Sequence, residues 1–464
     1  MTTNPSAFGD PSTIPDSAAR FDGDDATWAI AASEPRHIPP RRTSPPPTVQ
    51  TTSTPTRFLP PTPENLNDTG LRTSQIEALI LKFLLNMGLA SGREVANQIC
   101  LPFAMTQQML FEMKDAQLIA LRSDAPLGDY HYELTEFGGD RARRYVQQCT
   151  YFGAAPVPLE QYAAAVACQS LQNETVNLAG VKQAFDGLVM SSTLVQSIGE
   201  SLNMGCGLFL YGEPGNGKST LAERLSEAFP PTIWIPRAIS AGGEIVRLFD
   251  SIHHVPVETS IEHDRRWIQV KRPTIAAGGE LELKSFDVTT NPLTGISEAP
   301  LQLKANCGTL VVDDFGRNRF EPAELLNRLV VPLERRCDSL HLKSGRTFRI
   351  PFDCMIVFSS NLKPQDLVDE AFLRRIPYKI DVPNPTDEQF LELFAREAAA
   401  QKVQLAPDAI DQLFVEYRRS GRAMRFCHPR DLLRMVANAC DFAGTPRVMT
   451  EENLLAAADR YFTR

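Results

Sequence analysis

The segment GEPGNGKST at residues 212–220 constrains the fold of this chain more than any other feature. It fits the pattern G-x-x-x-x-G-K-[ST], whose glycines let backbone N–H groups turn inward around a phosphate chain. The apolar run 208–211 precedes the loop, and a segment with helical periodicity, 219–228, follows it. Strand, loop and helix in this order predict an α/β fold with a parallel sheet.

Each position of the loop has an expected role in binding a nucleoside triphosphate. Lys218 is expected to reach the β- and γ-phosphates, and the Ser219 hydroxyl is expected to bind Mg²⁺. The alternative is a glycine-rich surface turn with no ligand. The predicted nucleotide-binding residues are Gly212, Glu213, Pro214, Gly215, Asn216, Gly217, Lys218, Ser219 and Thr220.

A second segment, TLVVDD at 309–314, predicts the remaining parts of a hydrolytic site. Unbroken apolar runs are typical of parallel strands that are buried on both faces, and ligands collect at the carboxyl ends of such strands. Asp313 is expected to hold Mg²⁺ through water, and Asp314 is the candidate base for the attacking water. The alternative is a strand that ends in a solvated turn, where Asp is common.

Composition narrows the class of protein. A chain of 464 residues has room for two or three domains, and no apolar stretch reaches the ~18–20 residues that a membrane span needs. The amino terminus carries Asp10, Asp16 and Asp22 and lacks the apolar core of a secretory signal. Nine scattered cysteines without C-x-x-C pairs predict reduced thiols in a cytoplasm. A net charge of −9 does not favour a surface that coats nucleic acid.

The amino-terminal third divides into a tail, a small domain and a linker. Residues 1–66 hold 13 of the 35 prolines and predict a disordered tail. Residues 67–150 predict three helices followed by a β-hairpin and a final helix, with a capping box formed by Ser91 and Glu94. Residues 151–178 are expected to be a linker.

The pattern of 67–150 resembles a winged helix-turn-helix domain over about 80 residues. Such domains often bind DNA, yet the third helix offers Thr106, Gln107 and Gln108 with one cation, Lys114. Phosphate contacts supply most non-specific DNA affinity and need a basic face. Docking of a protein or a packing role is therefore favoured over specific DNA binding, which remains possible.

Between the two nucleotide motifs lies an insertion rich in β-structure, at about 236–305. The pattern I-x-A-G-G-E occurs twice within it, at 239–244 and at 275–280. Gly-Gly between apolar runs predicts a hairpin at each copy. The insertion is interpreted either as a grip on a client or as a purely structural element.

Further segments follow in the order found in the AAA+ ATPase family, which the chain resembles over about 175–464. The strand CMIVFSSN ends in Asn361, AFLRRI carries Arg374 and Arg375, and HPRDLLR carries Arg430. The resemblance implies that Asn361 orients the attacking water, that Arg374 and Arg375 reach the γ-phosphate in a neighbouring subunit, and that Arg430 acts from a helical lid. Each of these residues also has a structural alternative, as a turn cap or a solvated arginine.

What the resemblance implies is an α/β P-loop NTPase core at 179–385 with a helical lid at 386–464. It further implies ATP and Mg²⁺ as cofactors, a homo-oligomer, with a hexamer favoured, and a macromolecular client that the sequence does not name. The chain departs from the family in carrying Asp314 where most members have Glu, and in replacing the region of the usual aromatic pore loop with the insertion.

Three rival functions remain open at this point. A DNA-associated regulator would use the ATPase to control assembly, and a scaffold would hold ATP with little turnover. A small-molecule kinase is the weakest rival, because a kinase would not need Asn361, the arginine pair and the lid.

Overall fold

The structure, a computed structural model, describes residues 58–205, 207–406 and 409–462. Its first part consists of helices packed on a three-stranded antiparallel sheet with the strand order β1-β3-β2. The Ser91 hydroxyl accepts from the Glu94 N–H and the Glu94 carboxylate accepts from the Ser91 N–H, which confirms the predicted capping box. The elements are α1 (Thr73–Met87), β1 (Leu89–Ser91), α2 (Gly92–Ile99), α3 (Phe103–Asp115), β2 (Ile119–Ala125), β3 (Asp129–Leu134) and α4 (Glu136–Gln148).

Part of the segment predicted as a disordered tail is folded. Residues 1–57 of the expected tail lie outside the described residues, but 58–66 are placed. The Phe58 ring lies 5.4 Å from the Trp267 ring, and the Pro60 carbonyl accepts from the Asp264 N–H at 3.0 Å. Residues 58–66 have few apolar side chains, so burial of their own surface would not offset the entropy lost when they become ordered. The aromatic contact and the backbone hydrogen bond with the insertion supply the missing stabilisation.

The predicted linker at 151–178 is wrong, because most of it is folded structure. Strand β4 pairs in parallel with a strand of the insertion, and helix α5 buries Tyr162, Ala165 and Val166. The alanine-rich sequence of α5 has high helix propensity, and its apolar side chains face the insertion. The elements up to the phosphate-loop segment are β4 (Val157–Pro158), α5 (Leu159–Gln169), α6 (Leu178–Ala184) and α7 (Ser192–Met204).

The central part contains both strands and helices, with seven strands in succession between α8 (Lys218–Arg224) and α9 (Leu301–Lys304). Its elements are β5 (Leu208–Tyr211), α8 (Lys218–Arg224), β6 (Thr232–Pro236), β7 (Ala238–Ala241), β8 (Glu244–Arg247), β9 (Trp267–Lys271), β10 (Thr274–Ala277), β11 (Thr289–Thr290), β12 (Ser297–Glu298), α9 (Leu301–Lys304), β13 (Thr309–Val312), α10 (Pro322–Arg335), β14 (Cys337–His341), β15 (Thr347–Pro351), β16 (Met355–Ser360), α11 (Pro364–Leu367), α12 (Glu370–Leu373) and β17 (Tyr378–Asp381).

Five of these strands form a parallel sheet with the order β10-β13-β16-β5-β17, which confirms the α/β core. Strand β5 is buried on both faces, because Leu208 and Leu210 join one apolar cluster and Phe209 joins the other. Apolar residues without alternation suit this two-sided burial. Because β5, β16 and β13 are neighbours, the loops that follow them converge at the carboxyl edge of the sheet.

The two copies of the A-G-G-E pattern fold differently, so the second predicted hairpin is wrong. At the first copy, Gly242 and Gly243 have φ of +57° and +90° and turn β7 into β8 as a hairpin. At the second copy neither glycine lies in the left-handed region. Strand β10 instead runs parallel to β13, and the Ala277 carbonyl accepts from the Asp313 N–H. Strand β10 thus pairs with the distant strand β13 in place of the predicted hairpin, and the local sequence pattern does not reveal that pairing.

The carboxyl-terminal part is a helical bundle, named here the bundle and defined as residues 387–461. Phe390, Phe394 and Leu432 are among its fully buried residues, and the Thr386 hydroxyl caps its first helix. The helices and short strands are α13 (Asp387–Gln401), β18 (Gln404–Leu405), α14 (Ala409–Ser420), α15 (His428–Ala443), β19 (Val448–Met449) and α16 (Glu451–Tyr461).

A buried ion pair joins the insertion to the first part of the chain. Arg266 and Asp264 are both buried, and the guanidinium donates to the carboxylate at 2.7 Å and to the Thr69 carbonyl at 2.9 Å. A charge taken out of water is tolerated only with such full pairing.

Within the described residues, no helix is both long and apolar enough to cross a membrane.

The close approach of α4 to the backbone of Leu118, just before β2, generates a prediction. A Cβ on Gly138 would lie 1.8 Å from the Leu118 carbonyl oxygen, whereas a Cβ on Gly139 would meet its nearest neighbour, a flexible arginine tip, at 3.5 Å. Gly138→Ala is expected to lower the free energy of unfolding by about 2 kcal/mol or more through overpacking. Gly139→Ala, the matched control, should be neutral or stabilising by about 0.5–1 kcal/mol. Urea denaturation compares the two, and equal stabilities would contradict the packing.

Candidate functional site

The loop between β5 and α8 wraps around the amino end of α8 at the carboxyl edge of the sheet. Gly212, Gly215 and Gly217 have φ of +139°, +85° and +80°, which other residues rarely adopt. A Cβ on Gly212 would lie 2.5 Å from the Val382 carbonyl oxygen, so the loop also packs closely against the neighbouring strand end. This is the local geometry that a phosphate-binding loop needs.

Lys218 lies at the centre of the site with its ammonium group enclosed by protein. Its Nζ donates to the carbonyls of Gly212 and Glu213, each at 3.0 Å, and to Asn361 Oδ1 at 2.7 Å. Burial lowers the pKa of Lys218, while the carboxylates of Asp313 and Asp314 oppose that shift. The sequence-predicted loop, strand-end aspartates and Asn361 are thus brought together around one cation.

The two aspartates follow β13 and differ in their surroundings. Asp313 is half-buried and Asp314 is exposed. Asp314 has φ of +49°, in the left-handed region where Asp is tolerated better than most residues, and its N–H donates to Asp313 Oδ1 at 3.0 Å. This turn directs both carboxylates to the cavity that Lys218 lines.

That cavity has a volume of about 500 Å³ and lies between the core and the bundle. Its charged end is formed by the loop and the strand ends, and its apolar end by 187–194, Val382, Leu393 and Phe426. Such an apolar end suits a flat, weakly polar group, and the charged end suits an anion. The predicted residues that line it are Pro214, Gly215, Asn216, Gly217, Lys218, Ser219, Thr220, Asp313, Asp314, Asn361 and Arg430.

Divalent metal ions fit this site through oxygen ligands supplied jointly by protein and ligand. Within the described residues, no group of three His, Cys, Asp or Glu side chains lies close enough to hold a metal. Ser219 and Asp313 line the same cavity, and Mg²⁺ binds through one or two protein oxygens together with phosphate and water. Asn216 Oδ1, buried in the loop without a hydrogen-bond partner, adds a further polar atom at this end.

Arg430 of the bundle is among the residues that line the cavity. It lies in the first turn of α15, and its Nε donates to Asp431 Oδ1 at 3.0 Å. That hydrogen bond raises the pKa of Arg430 further above its already high value. The guanidinium is therefore charged at every relevant pH.

Arg374 and Arg375 lie away from the cavity within this chain. Arg374 is exposed at the end of α12, and Arg375 donates to Glu334 Oε1 of α10 at 2.6 Å. Neither residue is among those that line the cavity. A contact with nucleotide from these positions requires a second subunit.

The sequence prediction missed one wall of the cavity and one contact with the phosphate loop. The apolar wall at 187–194 comes from the connection between α6 and α7 and the first turn of α7, where Gly187 and the N-cap Ser191 mark a break in the helical structure. Arg425, which precedes the predicted HPRDLLR segment, forms an ion pair with Glu213 at 2.9 Å. No local signal distinguished Arg425 from its neighbours Arg419 and Arg422.

His428 fixes the start of α15 beside this site. Its Nδ1 accepts from the Arg425 N–H at 3.3 Å and from the Tyr417 hydroxyl at 2.6 Å, so the ring is neutral with its proton on Nε2. Burial, with Arg425 adding to it, lowers the pKa of His428 to about 4. Protonation of Nδ1 would cost the hydrogen bond from the Arg425 N–H.

Comparisons with known proteins give limited matches. Residues 386–460 match a family described as a domain of unknown function, DUF8689, and no curated protein matches the chain. Among solved structures, the chain is similar to NtrX from Brucella abortus in complex with ADP, at 12% identity and a TM-score of 0.39 over 61% of this chain and 58% of that one. It is also similar to a RuvB mutant from Thermotoga maritima, at 13% identity and a TM-score of 0.35 over 63% and 72%. The chain thus spans less than two thirds of the NtrX chain.

The depressed pKa of His428 predicts a pH dependence of stability. Between about pH 6.5 and pH 4 the unfolded chain binds a proton at this position and the native chain does not. The free energy of unfolding is therefore expected to fall as the pH drops through this window, by at most about 3 kcal/mol. Urea denaturation at pH 7 and pH 5 measures the change. His428→Gln should show a smaller change than the wild type, since His253 and His254, whose pKa values burial also lowers, still contribute. An unchanged pH dependence in that variant would contradict the assignment.

Proposed function

We propose that this chain binds and hydrolyses ATP as an ATPase of the AAA+ type. The observation that carries the proposal is the single cavity that Lys218, Ser219, Asp313, Asp314 and Asn361 line together with Arg430 of the bundle. The residues belong to four separate stretches of chain, and a glycine-rich surface turn would have no reason to assemble them. In this proposal 179–385 is the ATPase core and 386–464 is its lid.

The role that we propose for each residue in ATP hydrolysis follows from its position in the cavity. Lys218 would exchange its carbonyl and Asn361 partners for the β- and γ-phosphates, and the apolar wall at 187–194 would hold the base. Ser219 and Asp313 would hold Mg²⁺, which neutralises charge that develops on the phosphates. Asp314 would accept the proton of the attacking water, and Asn361, freed from Lys218, would orient that water.

Asp314 replaces the longer Glu that most AAA+ members carry at this position. A side chain one methylene shorter must start from a backbone placed closer to the water. The left-handed conformation of Asp314 displaces the turn from a regular strand end, and this supports the idea that the turn compensates for the short side chain. A scaffold that holds ATP with little turnover is the alternative, favoured if the compensation fails.

We further propose that the chain acts as a homo-oligomer, with a hexamer implied by the family resemblance, on a macromolecular client in the cytoplasm. Arg374 is exposed and suits a contact with the nucleotide of a neighbouring subunit better than Arg375, which Glu334 holds. The described cysteines are all free thiols, which supports a reducing compartment. Sedimentation measures the oligomeric state, and a phosphate-release assay under the same conditions measures turnover. A monomer that hydrolyses ATP at the full rate would contradict the oligomeric mechanism.

Residues 67–150 would form a winged-helix domain that docks a protein. The charges of this domain favour that role over DNA binding, because Arg122 of β2 is neutralised by Glu133 and α3 carries Lys114 as its cation. A domain with so few free cations neutralises few phosphates. A DNA-associated regulator remains the alternative.

The first test of the proposal is removal of the Lys218 ammonium group. Lys218→Ala is expected to abolish stabilisation by ATP, which for the wild-type chain at ~100 Kd amounts to about 2.7 kcal/mol. Thermal unfolding with and without Mg²⁺-ATP measures the difference. Lys379→Ala, an exposed residue of β17 in the same sheet, is the matched control and should respond to ATP like the wild type. Equal ATP binding by Lys218→Ala in calorimetry would refute the site.

Separate roles for the two aspartates give a second test. Asp313→Asn should weaken Mg²⁺-dependent ATP binding, since it removes charge next to the metal. Asp314→Asn should keep ATP binding and lower kcat by roughly 10²-fold or more, since a general base acts in the transition state. Calorimetry and phosphate-release assays distinguish the two variants. Turnover by Asp314→Asn at the wild-type rate would move the base elsewhere.

A further inference from the structure

One arginine of the bundle, Arg425, contacts the core at two points. Its Nη2 lies 2.9 Å from Glu213 Oε2 in the phosphate loop, and its Nη1 donates to Asn384 Oδ1 at 2.7 Å, just after β17. The Arg425 side chain is only 19% exposed. It is not among the residues that line the cavity, so it acts on the loop from outside.

The contact continues into the phosphate loop itself. Asn384 Oδ1 also accepts from Asn216 Nδ2 at 2.8 Å, and Asn216 is buried within the loop. Two residues after Arg425, the Cys427 N–H donates to the Gly215 carbonyl at 3.0 Å. Glu213, Asn216, Asn384 and Arg425 therefore form a connected group, named here the latch, that ties the bundle to the loop.

Arg425 is held in the orientation that the latch requires. Its backbone N–H donates to the buried His428 at the start of α15, so the side chain leaves the bundle from a fixed point. Arg430 differs, because its side chain is 63% exposed and its hydrogen bond is to Asp431 within the bundle. Of these two arginines, Arg425 makes the contact that crosses from the bundle to the core.

The position of the latch has a consequence for any ligand of the cavity. The cavity has one wall in the core and another in the bundle, so a ligand enclosed there leaves when the two walls separate. Separation breaks both hydrogen bonds of the Arg425 guanidinium. Arg425 thus opposes opening without itself lining the cavity.

We propose that Arg425 is a positioning residue that holds the bundle closed over bound nucleotide and sets the rate at which nucleotide is released. This inference rests on the proposed ATP site. The expected effect is moderate, because an ion pair to a carboxylate that is 61% exposed contributes little by itself. The rest of the effect comes from the hydrogen bond that Arg425 donates to Asn384, whose Oδ1 also accepts from the buried Asn216.

The test is the release rate of a fluorescent ADP analogue, chased with excess ADP in a stopped-flow instrument. Arg425→Ala is expected to release the analogue about tenfold faster than the wild type, equal to about 1.4 kcal/mol, and Arg425→Lys to recover part of the loss. Glu213→Gln should accelerate release about threefold. In Arg425→Ala the Glu213→Gln change should have little further effect, since the pair is already broken.

The matched control is Arg422→Ala. Arg422 lies three residues away and stacks on the Phe462 ring at 3.8 Å, a contact within the bundle. It should leave the release rate unchanged. Single-turnover hydrolysis of bound ATP should be the same in Arg425→Ala and the wild type, because Arg425 does not reach the cavity.

A second measurement needs no nucleotide. Hydrogen exchange of the Cys427 amide, which donates to Gly215, should be faster in Arg425→Ala than in Arg422→Ala. Nucleotide binding by the wild type with equal release rates in these two variants would overturn the latch and leave the ATP site intact. A wild-type chain that binds no nucleotide would overturn the proposed function itself, and the latch proposal with it, whatever the exchange rates.

Discussion

The ammonium group of Lys218 sets the conditions that the rest of the site has to meet. A cation removed from water is costly unless every donor finds an acceptor and opposite charge lies nearby. Two loop carbonyls and Asn361 accept its three hydrogen bonds, and Asp313 and Asp314 supply the charge. These partners can surround one atom only because β13, β16 and β5 are adjacent parallel strands that end at the same edge. The strand order of the sheet thus makes it possible to place these hydrogen-bond acceptors and carboxylates around a single side chain.

The site is completed by parts of the chain outside the sheet. An apolar wall comes from 187–194, and the bundle covers the charged end through Arg430 and Cys427. Because the bundle forms one wall of the cavity, a change in the position of the bundle alters the shape of the cavity. A change in the cavity likewise alters the position of the bundle. Elsewhere, the buried pair of Arg266 and Asp264 joins the first part of the chain to the insertion. The described residues form several apolar clusters rather than one continuous core, and desolvated polar contacts add to the apolar packing between parts of the chain.

Sequence reasoning was most reliable where local residues decide local structure. The phosphate loop, the capping box of Ser91 and Glu94, and the apolar strands of the core depend on near neighbours. It failed where a distant partner decides, since β10 carries the same pattern as a true hairpin and is captured by β13 instead. The helix at 159–169 and the placement of Phe58 likewise depend on surfaces supplied by the insertion. The apolar wall and Arg425 join the site through tertiary contacts that leave no mark on the local sequence.

The central position of β5 has a consequence for biosynthesis. This strand precedes the phosphate loop, yet its two neighbours in the sheet, β16 and β17, are the last core strands to be made, the latter roughly 170 residues afterwards. At about 5–20 residues per second, the ribosome needs roughly 10–30 s to deliver them. During that interval an apolar strand with both edges unpaired awaits its partners, and such strands are prone to aggregate. A nascent chain of this kind would be a natural client of the chaperones that act at the ribosome exit.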